Sequence, residues 1–200
     1  MVTKNNKKVR LIHQPVNKLV LSAMMVAIGV VLPFFTGQVQ QIGNMLLPMH
    51  LPVFLCGLIC GWQYGAAVGF VLPLFRWCMF GMPILYPNAI AMALELAAYG
   101  LIAGLIYSCM KKQGVLSMYA AMLPAMLLGR AVWGVAQMFL LGFADHAFTW
   151  QMFIAGAFLN AVPGIILQLV IVPGIMSVLH ITGIYRFKKQ AMDKNDESNN

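Results

Sequence analysis

The sequence predicts an all-α membrane protein of six transmembrane helices with both termini in the cytoplasm. Three observations carry that expectation. Of 200 residues, 61% are hydrophobic and only 9% charged, with a mean hydropathy of +0.81. Soluble domains carry about a quarter charged residues, and so little polar material cannot cover a water-soluble globule. Apolar runs of about 20 residues recur, each long enough to cross about 30 Å of hydrocarbon. Leu, Ala, Met and Gly dominate, and strict apolar–polar alternation is absent, which favours helices over a barrel.

The spans are expected at 18–36, 45–60, 62–80, 88–110, 115–142 and 151–179. The first, "LVLSAMMVAIGVVLPFF", follows the basic stretch "KNNKKVRLIHQPVNK". It is long enough to span and no A-x-A-like cleavage site follows, so it reads as a retained helix rather than a signal peptide. The second carries Pro48 and Pro52 and is short. The last two exceed what a bilayer needs, so they tilt, kink or project, with Pro163 and Pro173 as the kink sites of the sixth.

Positive charges set the orientation. Lys4, Lys7, Lys8, Arg10 and Lys18 precede span one, Lys111 and Lys112 lie between spans four and five, and Arg186, Lys188, Lys189 and Lys194 follow span six. With six spans these clusters share one side, while loops 37–44, 81–87 and 143–150 contain no Lys or Arg. The positive-inside rule then puts both ends in the cytoplasm. The net charge of +8 is explained by these flanks and does not call for nucleic acid. The expected organisation is a basic segment 1–17, a membrane domain 18–182 and a polar tail 183–200.

Several chemistries are missing. No P-loop, G-x-G-x-x-G or H-E-x-x-H occurs, so this chain is not expected to hydrolyse a nucleotide, bind a metal or need a cofactor. Cys56, Cys60, Cys78 and Cys109 lie within apolar segments without His or acidic neighbours and read as packing residues. Ser22 and Ser108 are lone hydroxyls with no nearby His, which argues against an intramembrane hydrolase. Ala23/Ala27, Gly57/Gly61, Gly65/Gly69 and Gly100/Gly104 have the spacing of close helix packing.

The informative residues are ionisable ones inside the spans. An arginine at a helix centre costs about 2.5–3.5 kcal/mol on the insertion scale, and such groups face the interior and pair. Arg76 lies near the outer end of span three. At 1.5 Å per residue, Glu95 lies about 10 Å below the outer end of span four, Arg130 about 17 Å below the outer end of span five and Asn160 about 13 Å into span six. Gln137 stands about two turns above Arg130. One reading is a structural Arg130–Glu95 pair with Arg76 snorkelling to the interface. The other is an outward pocket of net charge +1 suited to a ligand with one carboxylate, held by a guanidinium fork. The two are compatible. "QVQQIGNMLLPMH" adds Asn44 and His50 and "FGMPILYPNA" adds Tyr86 and Asn88, on loops placed to act as lids. Trp133 is positioned either to stack on a ligand or to pack in the core.

This pattern resembles the substrate-binding S-component of energy-coupling factor (ECF) vitamin importers. "SAMMVAIGVVLP" contains the A-x-x-x-A of Ala23 and Ala27, which in that family contacts the transmembrane coupling subunit. "LPVFLCGLICGWQYGAAVGFVLPLFR" is similar to the family's second and third helices, with Pro52, Gly57, Gly61, Gly65 and Gly69 in the recurrent spacing. "FLNAVPGIILQ" resembles its sixth helix, and the likeness covers residues 15–180. The resemblance implies a subunit that binds a vitamin outside, joins a coupling subunit and two cytoplasmic ATPases, and topples to release its ligand. Pantothenate, small and singly anionic, is the first expectation for that vitamin, with lipoate, nicotinate, riboflavin and pyridoxine as alternatives. Two rivals remain at this point. A proton-coupled secondary carrier would use Glu95 as its titrating group but lacks an inverted repeat here. A scaffold would bind nothing and tolerate Arg76→Ala.

Overall fold

The computed structural model describes residues 15–35, 48–111, 113–142, 162–183 and 185. These form helix α1 (Pro15–Phe35), α2 (His50–Cys60), α3 (Trp62–Phe80), a π-helical turn (Leu85–Ala89), α4 (Ile90–Cys109), α5 (Val115–Gly142) and α6 (Val162–Ile181). No strand occurs among the described residues.

Four of these segments are long and apolar enough to cross a membrane: Pro15–Pro33, Leu85–Cys109, Val115–Leu141 and Val162–Ile181. The six full spans expected from the sequence are therefore corrected to four among the described residues. α2 has 11 residues, about 16 Å of helix, which is half a bilayer. α3 has the length, at 19 residues, but Gln63, Tyr64, the two glycines Gly65 and Gly69, and Arg76 dilute its apolar surface. The parts of the expected second and sixth spans at 45–47 and 151–161 lie outside the described residues.

Local chemistry sets the helix ends. α2 and α3 are separated by Gly61 alone, at φ +104°, a conformation that side chains with a Cβ rarely adopt. α3 closes on Gly81 at φ +68°, whose N–H donates to the Trp77 carbonyl. α6 closes on Gly183, and the chain then folds back so that the Tyr185 N–H reaches the Leu179 carbonyl at 3.0 Å. Tyr185 donates to Gln113 Oε1 at 3.5 Å, and Gln113 donates to the Tyr107 carbonyl at 3.5 Å. This clasp ties the end of α6 to the end of α4. Burial holds the Tyr185 hydroxyl above its ordinary titration range.

α4 is the hub, packed by α2, α3 and α5. Its contact with α2 and α3 is a seam of glycines. A Cβ built on Gly100 would stand 2.2 Å from the Gly65 carbonyl oxygen, and one on Gly65 would stand 2.6 Å from Gly57 Cα. On Gly69 it would meet the Leu96 carbonyl at 2.3 Å, and on Gly104 the Trp62 Cα at 2.7 Å. Backbones meet where side chains ordinarily intervene. Gly57, Gly65, Gly69, Gly100 and Gly104 thus pack within the bundle as their spacing leads one to expect, whereas Gly61 does not: its Cβ position is open and its role is the turn between α2 and α3. α1 joins through Gly29, which lies against Leu72 and Pro52. Cys56 and Cys60 are buried in the same core, with Cys56 Sγ 3.5 Å from Ser22 Oγ.

Candidate functional site

α4 and α5 run antiparallel, and their seam away from the glycines carries polar rungs. Glu95 and Arg130 form one, with Arg130 Nη1 3.1 Å from Glu95 Oε1. Asn88 and Gln137 form the other, with Gln137 Nε2 donating to Asn88 Oδ1 at 3.3 Å. Glu95 is seven residues from Asn88 and Arg130 is seven from Gln137, so the rungs lie two turns, about 10.5 Å, apart on one face of each helix. Sequence spacing alone pointed to the pairing of Glu95 with Arg130; the structure brings them together.

Glu95 is 2% exposed and Arg130 5%. Two further groups converge on the same carboxylate oxygen. The Tyr99 hydroxyl, one turn along α4, donates to Oε1 at 3.1 Å, and His50 Nε2 lies 3.6 Å away. The His50 and Tyr99 rings are tilted with centroids 5.1 Å apart, and Phe54 follows at 5.2 Å from Tyr99. Tyr99 gains its place because Gly129 leaves room: a Cβ there would lie 2.6 Å from the ring. His50 is the first residue of α2, and that helix begins without a side-chain cap. The positive end of α2 therefore lies at the depth of the Glu95 carboxylate, a favourable arrangement for a buried anion. The shortness of α2 and the location of the charge cluster are one fact, since α2 starts where the cluster is.

A buried guanidinium has five N–H donors, and Glu95 occupies only part of this one. Among the described residues, Arg130 Nε and Nη2 have no hydrogen-bond partner. Arg76, expected either to snorkel or to line the site, is 8% exposed, and its Nη1 is buried without a partner among the described residues. Its depth follows from the α3–α4 register. Gly65 meets Gly100 and Gly69 meets Leu96, so Arg76 falls level with Ala89, beside the Asn88–Gln137 rung. Gln137 Oε1 is likewise buried and unpartnered among the described residues.

Other expected site residues fall at the rim or beyond it. Tyr86 is exposed, and its hydroxyl donates to the Leu140 carbonyl, tying the π-helical turn to the end of α5 rather than reaching the charge cluster. Trp133 is half-buried on α5 between the two rungs. Asn44 and Asn160 lie outside the described residues. Ala23 and Ala27 are both exposed, in a stripe on α1 with Val16, Leu19, Val20, Met24 and Val31. Tyr99 and Gln168 were not singled out from the sequence. Tyr99 was legible as the residue one helical turn after Glu95, whereas Gln168 sits within the uninterrupted run "GIILQLVIV". No group of three or more metal-ligating side chains occurs among the described residues.

Buried charges at mid-depth in a helical membrane protein mark a ligand path or a structural pair. The comparisons with known proteins bear on which. Searches of curated proteins and of solved structures gave no significant match. The family model described as "ECF transporter, substrate-specific component" matches residues 17–176, which reaches into all six helices and includes the charge cluster. A multi-pass helical chain with this match is a transporter subunit that binds substrate rather than an enzyme, and it belongs to the family of ECF transporter substrate-specific components.

Proposed function

We propose that this chain captures a small vitamin bearing one carboxylate, pantothenate first among the candidates, from the side opposite its basic loops. The observation that carries the reading is the surplus of buried cationic donors. Arg76 and Arg130 bring two positive charges to the outer half, Glu95 offsets one, and Arg130 Nε and Nη2 and Arg76 Nη1 remain without partners among the described residues. A desolvated guanidinium binds a carboxylate by charge-assisted, often paired hydrogen bonds. Glu95, itself held by Tyr99 and approached by His50, holds the Arg130 head, and Asn88 and Gln137 supply amides two turns outward. Asn44, Asn160 and Trp133 complete the proposed contacts.

The chain is proposed to have residues 1–17 and 183–200 in the cytoplasm of a bacterial cell on either side of the membrane domain 18–182. Lys18 and Lys111 lie at the same end of the bundle, in keeping with the positive-inside rule. The exposed Ala23–Ala27 stripe on α1 is proposed to receive the transmembrane coupling subunit, with ATP hydrolysed by two separate ATPase subunits. Small residues there permit close helix approach.

The test is a thermal-shift and native-mass-spectrometry screen of the detergent-purified chain against pantothenate, lipoate, nicotinate, riboflavin and pyridoxine. One bound equivalent of a carboxylate-bearing vitamin is the expected result. Binding of riboflavin or pyridoxine alone would overturn the charge argument while keeping the family. Binding of none would overturn the vitamin reading.

A further inference from the structure

The proposed binding mode draws on α2, α3, α4 and α5, and a buried polar side chain on α6 has no part in it. Gln168, on α6, is 1% exposed, and its Nε2 has no hydrogen-bond partner among the described residues. Leaving such a donor unsatisfied in an apolar interior costs about 1–3 kcal/mol, and neighbouring helix positions are filled by aliphatic residues that pack without cost. A membrane helix of this composition would be more stable with leucine there unless the amide meets something.

Its placement says what it meets. The buried residues of α6 are Gly164, Gln168, Val172, Pro173 and Met176, one stripe at four-residue spacing. α6 packs chiefly on α2 and α5, the helices that carry His50 and Arg130. Depth follows from the clasp at the basic end, where Tyr185 and Leu179 are tied to Tyr107 through Gln113. Counting back along α4 from Tyr107 to Glu95 is about 18 Å, and along α6 from Leu179 to Gln168 about 16 Å. α4 and α6 run in the same direction, so Gln168 stands within a turn of the Glu95–Arg130 level.

We propose that Gln168 is a specificity-determining ligand contact, donating its carboxamide N–H to a neutral acceptor of the ligand, a carbonyl or hydroxyl oxygen, while Arg130 takes the carboxylate. The proposal rests on the vitamin-binding reading above. Among the described residues, the unpartnered buried atoms at this end are donors on Arg76, Arg130 and Gln168 and an acceptor, Gln137 Oε1. A matching ligand is therefore rich in acceptors: one anionic head and at least one uncharged oxygen. A carboxylate on an otherwise hydrocarbon body would satisfy the arginines and leave Gln168 unmet.

The experiment measures dissociation constants of the full-length chain in detergent for pantothenate and for pantothenol, its uncharged counterpart. Gln168→Met removes the donor at similar length. It is expected to weaken both ligands by about tenfold, the worth of one hydrogen bond, while the pantothenate-to-pantothenol preference stays as in the wild type and the melting temperature without ligand is no lower, since an unmet buried donor has been removed. Arg130→Met is expected to collapse that preference instead. Gln168→Asn, which keeps the amide but draws it back by one methylene, should repeat the loss and covers the case of a poorly folding Met variant. Affinity within twofold of wild type in either Gln168 variant overturns the proposal and leaves the vitamin reading intact. A wild-type chain that binds neither ligand, nor lipoate or nicotinate, overturns both.

Discussion

Replacing Glu95 by leucine separates what the buried pair does for folding from what it does for binding. The carboxylate is 2% exposed and sits 3.1 Å from the Arg130 guanidinium, so its removal leaves a cation in the interior with no counter-charge among the described residues. Breaking such a pair from one side costs about 3–5 kcal/mol, and loss of the Tyr99 hydrogen bond falls within the same figure. For a domain of this size each kcal/mol is worth about 2–4 °C, so the melting temperature of Glu95→Leu should fall by about 6–20 °C. Removing both charges in Glu95→Leu/Arg130→Leu takes away the uncompensated cation, and apolar replacement of a whole buried pair is often neutral or better. The double variant should therefore recover most of the lost melting temperature and still bind no carboxylate-bearing vitamin. Thermal unfolding followed by tryptophan fluorescence, with isothermal titration on the same samples, reads both quantities. A double variant no more stable than the single one would refute the account of Glu95 as the counter-charge of Arg130. A double variant that binds as well as wild type would return the pair to a purely structural role.

Three further outcomes follow from other parts of the bundle. Gly100→Val puts a Cβ 2.2 Å from the Gly65 carbonyl, so α3 and α4 must part by about 1 Å, and thermal melting should show a loss of about 3 kcal/mol or more. Ala23→Leu and Ala27→Leu lie on an exposed face and should change stability by less than about 0.5 kcal/mol. Co-purification with the coupling subunit should nevertheless be lost while vitamin affinity, measured by titration, stays unchanged. Gln137→Leu removes the hydrogen bond to Asn88, and its stability loss of about 1 kcal/mol should vanish when measured in an Asn88→Leu background.

The parts of this molecule legible in the sequence are those governed by periodicity and by the high cost of charge in hydrocarbon. Glu95 and Arg130 stand out because their surroundings are apolar, and a group that expensive needs a partner at its own depth. The glycine seam was legible for a similar reason, since a repeat of Gly at four-residue spacing on neighbouring helices has few uses besides close approach. The true length of α2 was not. "HLPVFLCGLIC" and the apolar residues before it read as one run, and nothing within that run marks a start at His50, whose Nε2 lies 3.6 Å from Glu95, 45 positions distant. Gln168 was hidden in the same way. A lone amide in an aliphatic stretch carries no pattern, and only burial in a particular stripe of α6 gives it meaning. Tyr86 read as a lid residue, but its chain position cannot say that its hydroxyl turns to the end of α5.

The glycine seam also bears on how the protein sits among lipids. Helices in contact through ordinary side chains stand 8–10 Å apart. Where a carbonyl of one helix lies against the Cα of the next, as between Gly65 and Gly100, the axes are drawn closer. α2, α3 and α4 consequently present a smaller outline in the plane of the bilayer than three helices packed through leucines. Fewer annular lipids surround such an outline, so any change in the tilt of the body rearranges less of the membrane around it. Enlarging the seam glycines would then do more than loosen the bundle: it would widen the protein's wake in the bilayer.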